Sequence, residues 1–545
     1  MKKIKIYFVL LVSVFITGIG SVYAQTEITV DPGFNTLYDA VVANPGATLI
    51  LLRGEQYVND QTILINEPTI IKGETTPAEM APAVISIFAD PGTASGLDIF
   101  SPGADLTLQN LGLMGFTDDE QQIRHVLTLQ TANTKITLDG CILQGMNWML
   151  ATNDVPGVTI LLKNCKIFNS VNTGFDNWGG YGTLWGGNNI TYQSYNNTAF
   201  MVGRIYNAGW IGPQGSETLD HNTYVNIFGE LFYPAWVESD SVTNNILYNP
   251  NIRGYVGPRT VPEEYAGDFI GDYPNDTLNG DVAIFTNHTD STTGDRNIVI
   301  QNNLRFTNSK VLDRQASLNI TMEPFVGEVM KSYIAKYNWT YKDNWVDGDP
   351  LSPSVDPQFA MAIPDEAYDF MFMEMEARRR VSLQVGGYPW SCGWWPNGVT
   401  KGTFIWPLPF DFKPMNQDLW YAGDDGYPLG DLNWFGPGVV AAWEAALPNP
   451  LSAIAKNQLD RFNLTTYPNP VKSNTRISYT LTKNSQVKLT VYNAIGVEMA
   501  TLVNTAQAAG KHEVNFDASR LSSGMYFCKI QVAGKSVMQK MVVVK

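Results

Sequence analysis

A short alternating strand ending in Asn or a small residue recurs through the middle of this chain. It reads LTLQN at 106–110, ITLDGC at 136–141 and ILLKNC at 160–165. Looser copies follow at 218–222 (TLDHN), 241–245 (SVTNN) and 298–303 (IVIQNN). The turn positions 110, 140, 164, 221, 244 and 302 lie 30, 24, 57, 23 and 58 residues apart. A weaker copy at 184–188 (LWGGN), with its turn at Gly187, divides the 57 into 23 and 34. Recurrence at this spacing marks a solenoid, whose coils are too small to bury their own apolar sides and so stack. Strands of successive coils then pair in parallel, and Asn at the turns can build amide ladders. The expected fold class is all-β: a parallel β-helix, then a capping region and a small β-sandwich.

A chain of 545 residues exceeds one ordinary core, so two or more folded units are expected. Four cysteines are too few for a disulfide framework. Cys141 and Cys165 occupy the same place in neighbouring coils, where stacked side chains sit about 4.8 Å apart. Two buried thiols are the favoured reading there, with a bridge as the alternative in an oxidising compartment. Residues 1–24 read as a signal peptide: Lys2, Lys3 and Lys5, an apolar stretch from Ile6 to about Ile19, and a small-residue cleavage site at Val22–Ala24. The stretch is short for an anchoring helix, so no transmembrane anchor is expected in the mature protein. Charge is unevenly shared. Residues 25–460 carry −27, which with +3 in 1–24 and +8 in 461–545 makes up the chain's −16. Such a body repels nucleic acid and bare acidic polysaccharide, unless local basic clusters or a bridging cation such as calcium intervene.

Residues 26–74 read as the entry to the solenoid. A strand at 28–30, a helical turn at 37–43 and a strand at 48–52 precede Gly54-Glu55-Gln56-Tyr57, then strands at 62–65 and 69–73. This order, with its Ile70-Ile71-Lys72-Gly73, resembles the first coils of pectin-lyase-like right-handed parallel β-helices. The resemblance implies the fold and not the chemistry, since the same fold hosts lyases, hydrolases, esterases and adhesins. The β-helix is assigned to 25–315. Within it, residues 250–295 read as a long excursion, rich in Pro and Asp, without the spacing of a calcium loop. Residues 316–460 read as a capping, aromatic-rich extension with a helix at 365–383. Its Trp residues are expected to pack rather than to bind. The stretch 424–434 (DDGYPLGDLNW) resembles a closing motif of secreted β-helix proteins. Residues 461–545 show strand alternation from YPNP at 467–470 to the closing MVVVK, which suggests a β-sandwich. They closely resemble the type A sorting domain of the type IX secretion system. That resemblance implies the secretion machinery as a partner through residues 461–545, and secretion or display on the outer-membrane surface of a Gram-negative bacterium.

Catalytic patterns are scarce. An Arg or Lys base facing an acidic calcium cluster would suit uronate elimination, and Arg204, Arg253 and Arg259 with Glu217, Asp220, Glu230, Glu238 and Asp240 are the candidates. No two of these acids are expected in register on successive coils. His125, His221 and His288 are too scattered for a metal site, and His221 is expected to fill a place in the Asn ladder. No cofactor is called for, with calcium left open. Aromatics crowd the central coils, and flat rings beside amides and acids suit pyranose sugars. The residues expected to touch polysaccharide are Trp185, Arg204, Tyr206, Trp210, Glu230, Tyr233, Trp236 and Arg253. The function expected is association with polysaccharide, with cleavage by lyase or hydrolase chemistry undecided; the alternative is a non-catalytic surface protein or adhesin.

Overall fold

The computed structural model describes residues 26–90, 96–117, 122–146, 148–151, 155–170, 183–185, 189–203, 205, 207–209, 214–228, 237–250, 252, 297–318, 335, 340–342, 355–382, 396, 399, 403–447, 465–467, 469, 471–481, 484–493, 498–522, 524–532 and 535–543. Among them, eleven strands from Glu27–Val30 to Thr340–Lys342 form one parallel sheet, called A below. Ten from Gly33–Phe34 to Leu304–Phe306 form a second, B. A third side is lined by Ile63–Ile65, Asp98–Pro102, His125–Thr128 and Trp148–Ala151, sheet C. The chain visits A, B and C in turn and returns one rung further on, which is the expected right-handed parallel β-helix. Ile136, Ile160 and Tyr192 stack in register along A, as do Leu138, Leu162 and Ser194. All six are buried, so the core is a set of columns shared between coils. The helix Thr36–Ala43 buries Leu37 and Val41 over the first coil.

The corner from A to B explains the recurring phrase. It begins with Asn110, Gly140, Asn164, Asn196, His221, Asn244 and Asn302, whose φ values run from 53° to 66°. This left-handed conformation is tolerated by Gly and Asn and costs other residues about 1 kcal/mol or more. One expectation is corrected here. The corner between positions 164 and 221 lies at Asn196, not Gly187; Leu184 and Trp185 belong to a strand on the third side, paired with Asn207–Gly209.

The ladder itself stands one residue further on, at Asn197, Asn222, Asn245 and Asn303. Each Oδ1 of the last three accepts both the backbone N–H and the amide of the Asn above, as Asn245 does from Asn222 at 2.8 and 3.0 Å. Each amide also donates to a carbonyl of the preceding coil: Asn222 to Ser194 at 3.0 Å, Asn245 to Leu219 at 2.9 Å. Cys165 and Cys141 continue the column upward. They are buried free thiols, and their Sγ atoms face Leu138 and Leu108 carbonyls at 3.6 and 3.4 Å.

After the solenoid the chain returns along its side. Gln144 exchanges two 2.9 Å hydrogen bonds with the backbone of Ile405. Phe410 and Phe412 pack on Phe168 and Phe200 of sheet B. The indoles of Trp406, Trp420 and Trp434 all donate to the protein, at 3.2, 2.7 and 3.0 Å, so these rings pack. Trp390, Trp394 and Trp395 lie outside the described residues. The expected helix is present as Asp365–Ser382. The tail forms two antiparallel sheets, of three and four strands, around a core of its own that includes Ile477, Leu489 and Ile530.

Candidate functional site

Two clusters of titratable side chains stand out among the described residues. The first lies where 424–434 crosses the A–B corner. Asp220, His221 and Asp425 bring ligand-type atoms within 4.8 Å of one another. Position 221 follows a strand whose Leu219 is anchored in the core, and its left-handed φ turns the imidazole outward under the returning chain. Its Nδ1 lies 2.9 Å from the Pro428 carbonyl and its Nε2 lies 2.8 Å from Asp425 Oδ2. A carbonyl and a carboxylate both accept, so both nitrogens donate and the ring is the imidazolium cation. Burial pulls its pKa down, but Asp425, Asp220 and Asp424 outweigh burial and push it up to about 9. A ring with both nitrogens protonated has no lone pair for a metal. Trp443 donates to the same Asp425 oxygen at 3.2 Å. The expectation that His221 fills the amide ladder is therefore corrected: it occupies the corner column, and its buried ring forms an ion pair with the exposed Asp425, 204 positions away.

The rest of the 424–434 stretch follows the same corner. Asn244 donates to Asp424 at 2.8 Å and accepts from its backbone at 3.0 Å. Gly430, at φ +78°, lies so close that an added Cβ would stand 2.5 Å from Thr223 Oγ1. Asp431 is paired with Lys166 and accepts from Thr198 at 2.6 Å. Asn433 donates to the Asn196 carbonyl at 2.9 Å. The closing motif is a latch whose polar groups are taken up by the corner.

The second cluster is on sheet C. Asp98, 5% exposed, receives the forked guanidinium of Arg124 at 3.2 and 2.9 Å. His125 Nδ1 lies 3.0 Å from Asp98 and 3.0 Å from Thr128 Oγ1. Burial raises the carboxyl pKa, but hydrogen bonds from His125 and Arg124 outweigh it and hold the group at about 2. An ionised Asp98 accepts, so Nδ1 of His125 carries a proton. Sequence reading missed this pair because the residues are 27 apart; that offset is one coil, and the coil period was the signal available.

A further correction concerns Glu217 and Asp240, which are partners in the pairing of their strands, so two acids do stand in register. They lie two residues before the core residues Leu219 and Val242 and share their inward face. Both are buried, and burial followed by repulsion from Asp240 raises the Glu217 pKa well above the ordinary carboxyl range. Of the eight residues expected to touch polysaccharide, Trp185 has its backbone in Thr183–Trp185. Its side chain, and Arg204, Tyr206, Trp210, Glu230, Tyr233, Trp236 and Arg253, lie outside the described residues.

Residues 465–544 match the family model described as a secretion system C-terminal sorting domain. The tail is thus a sorting domain of the type IX system, and it directs the protein to secretion or to the outer-membrane surface. No curated protein matches the chain. Among solved structures, a point variant of the PL6 family alginate lyase AlyGC aligns with 13% identity over 53% of this chain and 41% of that one, at a TM-score of 0.32. AlyGC itself aligns with 13% identity over 42% and 36%, at 0.25. The chain thus spans less than half the length of these lyases. No helix among the described residues is long and apolar enough to cross a membrane.

Proposed function

We propose that this exported β-helix protein binds polysaccharide along its third side. The supporting observation is topological. Between sheets A and B the corner is two residues in successive coils, 140–141, 164–165, 196–197, 221–222, 244–245 and 302–303. Between a B strand and the next A strand the chain instead runs through 169–190, 203–213, 228–236 and 249–296. All eight candidate residues fall in these four successive segments. Coils repeat about every 4.8 Å, so a side built from one such segment per coil suits a repeating polymer better than a small ligand. Aromatic rings among amides and carboxylates suit sugar rings in particular. The sorting tail agrees with a role outside the cell.

The test is binding of the full chain to a glycan array, repeated with Trp210→Ala and Trp236→Ala. Each variant is expected to weaken binding about tenfold, on the order of 1.4 kcal/mol. Unaltered binding by both variants would remove the proposed face, and no binding by the wild-type protein would favour a surface structural role. Adding calcium or a chelator to the same assay tests whether a cation bridges the contact.

A further inference from the structure

A sorting domain has to be recognised by the secretion machinery, so part of its surface is a docking site. Open sheets offer a ready one, because an edge strand presents unpaired main-chain groups to any extended chain. Four strands lie at the edges of the two tail sheets: Thr465–Tyr467, Gly510–Asp517, Glu498–Gln507 and Lys535–Val543.

Three of these are closed or blunted. Against Lys535–Val543 lies the start of the domain: Val471 donates its N–H to the Val542 carbonyl at 2.7 Å, and Asn469 Oδ1 accepts from the Val542 N–H at 2.8 Å. Gly510–Asp517 carries Lys511, Glu513 and Asp517, with Glu513 paired to Lys511 at 3.2 Å and to Arg476 at 3.5 Å. Charged side chains of this kind discourage an incoming strand. Thr465–Tyr467 is three residues long, too short to hold one.

Glu498–Gln507 has none of these defences along most of its length. After Glu498 it reads MATLVNTAQ, without charge or proline. Among the described residues it pairs with Ser485–Asn493 alone. Register shifts skip Met499 and Leu502, so the first half is bulged. Val503–Gln507 is regular and pairs residue for residue with Leu489 back to Ser485. Within it Asn504, Thr505 and Ala506 are exposed. Both ends are held: Val503 packs on the tail core, and Gln507 accepts from the Tyr479 hydroxyl at 2.6 Å. Every second residue of such a strand turns its N–H and C=O away from its one partner. A straight edge of about five residues, already ordered, matches a typical strand and costs little to dock on.

We infer that Val503–Gln507 is the edge on which the secretion machinery docks, by adding an extended, uncharged segment of its own as a further strand. Recognition then lies in the main chain, with exposed side chains contributing little. The inference does not depend on the glycan reading.

The test follows export of the full chain in a producing cell, by fractionation and protease accessibility. Asn504→Lys with Ala506→Lys places charge on the open edge and is expected to cut surface and medium protein about tenfold, with material held behind the outer membrane. Asn504→Ser with Ala506→Ser changes the same side chains without charge and is expected to be exported like wild type. Asn515→Lys with Gln531→Lys adds the same charge at exposed positions on other strands and is also expected to be exported. Purified variants should melt within a few degrees of wild type. Benzoylphenylalanine placed at Thr505 in the otherwise unaltered chain gives an independent readout. On irradiation in the cell it is expected to cross-link to a component of the outer-membrane secretion machinery identified by mass spectrometry, and the same group at Asn515 is not. Normal export of the double-lysine edge variant overturns the inference, as does equal loss in the Asn515 and Gln531 control or in the serine variant. If the edge variant does not fold, the cross-link decides. Cross-linking from 505 to a second copy of this chain, or to nothing, overturns it as well.

Discussion

Single residues in this protein carry titrations that the fold has displaced. His221 is protonated between two acceptors, and its pKa stands at about 9 against an ordinary 6.5. The folded state therefore holds the proton more tightly than the unfolded chain. Its contribution is whole below pH 6.5 and is lost as pH rises through about 9, an amount on the order of 3 kcal/mol. Glu217 acts with the same sign in a lower window: its raised pKa makes the fold lose stability as pH climbs from 4.5. Asp98 acts oppositely, holding stability that disappears as pH falls from 3.8 through about 2. Urea unfolding across pH 6 to 10 is expected to show falling stability. His221→Asn, which keeps a residue suited to the left-handed corner, should flatten the slope between 6.5 and 9. Glu217→Gln should stabilise the protein at neutral pH and leave that upper slope in place. An upper slope that persists in His221→Asn would mean that another group titrates there.

The elements of the solenoid were readable where strand and corner lie side by side in the chain. Ile136–Cys141 and Ile160–Cys165 show alternation, a left-handed residue and a column residue within six positions. The coil at Thr191–Asn197 escaped because its inward places hold Tyr192 and Ser194, not aliphatic residues. Ser194 is polar because its hydroxyl bonds the ladder, donating to Asn222 Oδ1 at 3.1 Å and accepting from Asn197 at 2.9 Å. The latch was recognisable as a motif, yet its partners were not, because they lie more than 100 residues away in the chain. Its weight rests on Asp431, whose side chain is fully buried against Lys166 and Thr198. Removing one partner of a buried pair leaves an uncompensated charge and costs about 3–5 kcal/mol. Asp431→Ala is therefore expected to destabilise the latch more than the coils beneath it. Limited proteolysis should then cut first between residues 415 and 437, while far-ultraviolet circular dichroism keeps its strand signal. Equal cleavage of wild-type and variant protein would show that the latch is held from elsewhere.

At the scale of the molecule, two kinds of β-structure follow different rules. The solenoid gains stability from neighbour to neighbour, so each coil depends on the next and on the cover along its side. The tail closes on itself: Ile477, Leu489, Val491 and Ile530 bury their side chains within its two sheets, without help from the coils. Its charge is also opposite, +8 against −27 for the body. An element that completes its own core can be read by a transport machine, or removed, without opening the cargo. The sorting domain should therefore be separable from folding but not from destination. Deleting 465–545 is expected to leave a body that melts within a few degrees of the full chain and keeps its affinity for glycan. In a producing cell the same deletion should abolish appearance of the protein in the medium and at the surface, with material accumulating behind the outer membrane. Fusing residues 461–545 to an unrelated exported reporter should carry that reporter out. Cell fractionation with protease accessibility measures both outcomes. A deleted chain that still reaches the surface would mean that the body carries an export signal of its own, and a deleted chain that unfolds would mean that the coils lean on the tail.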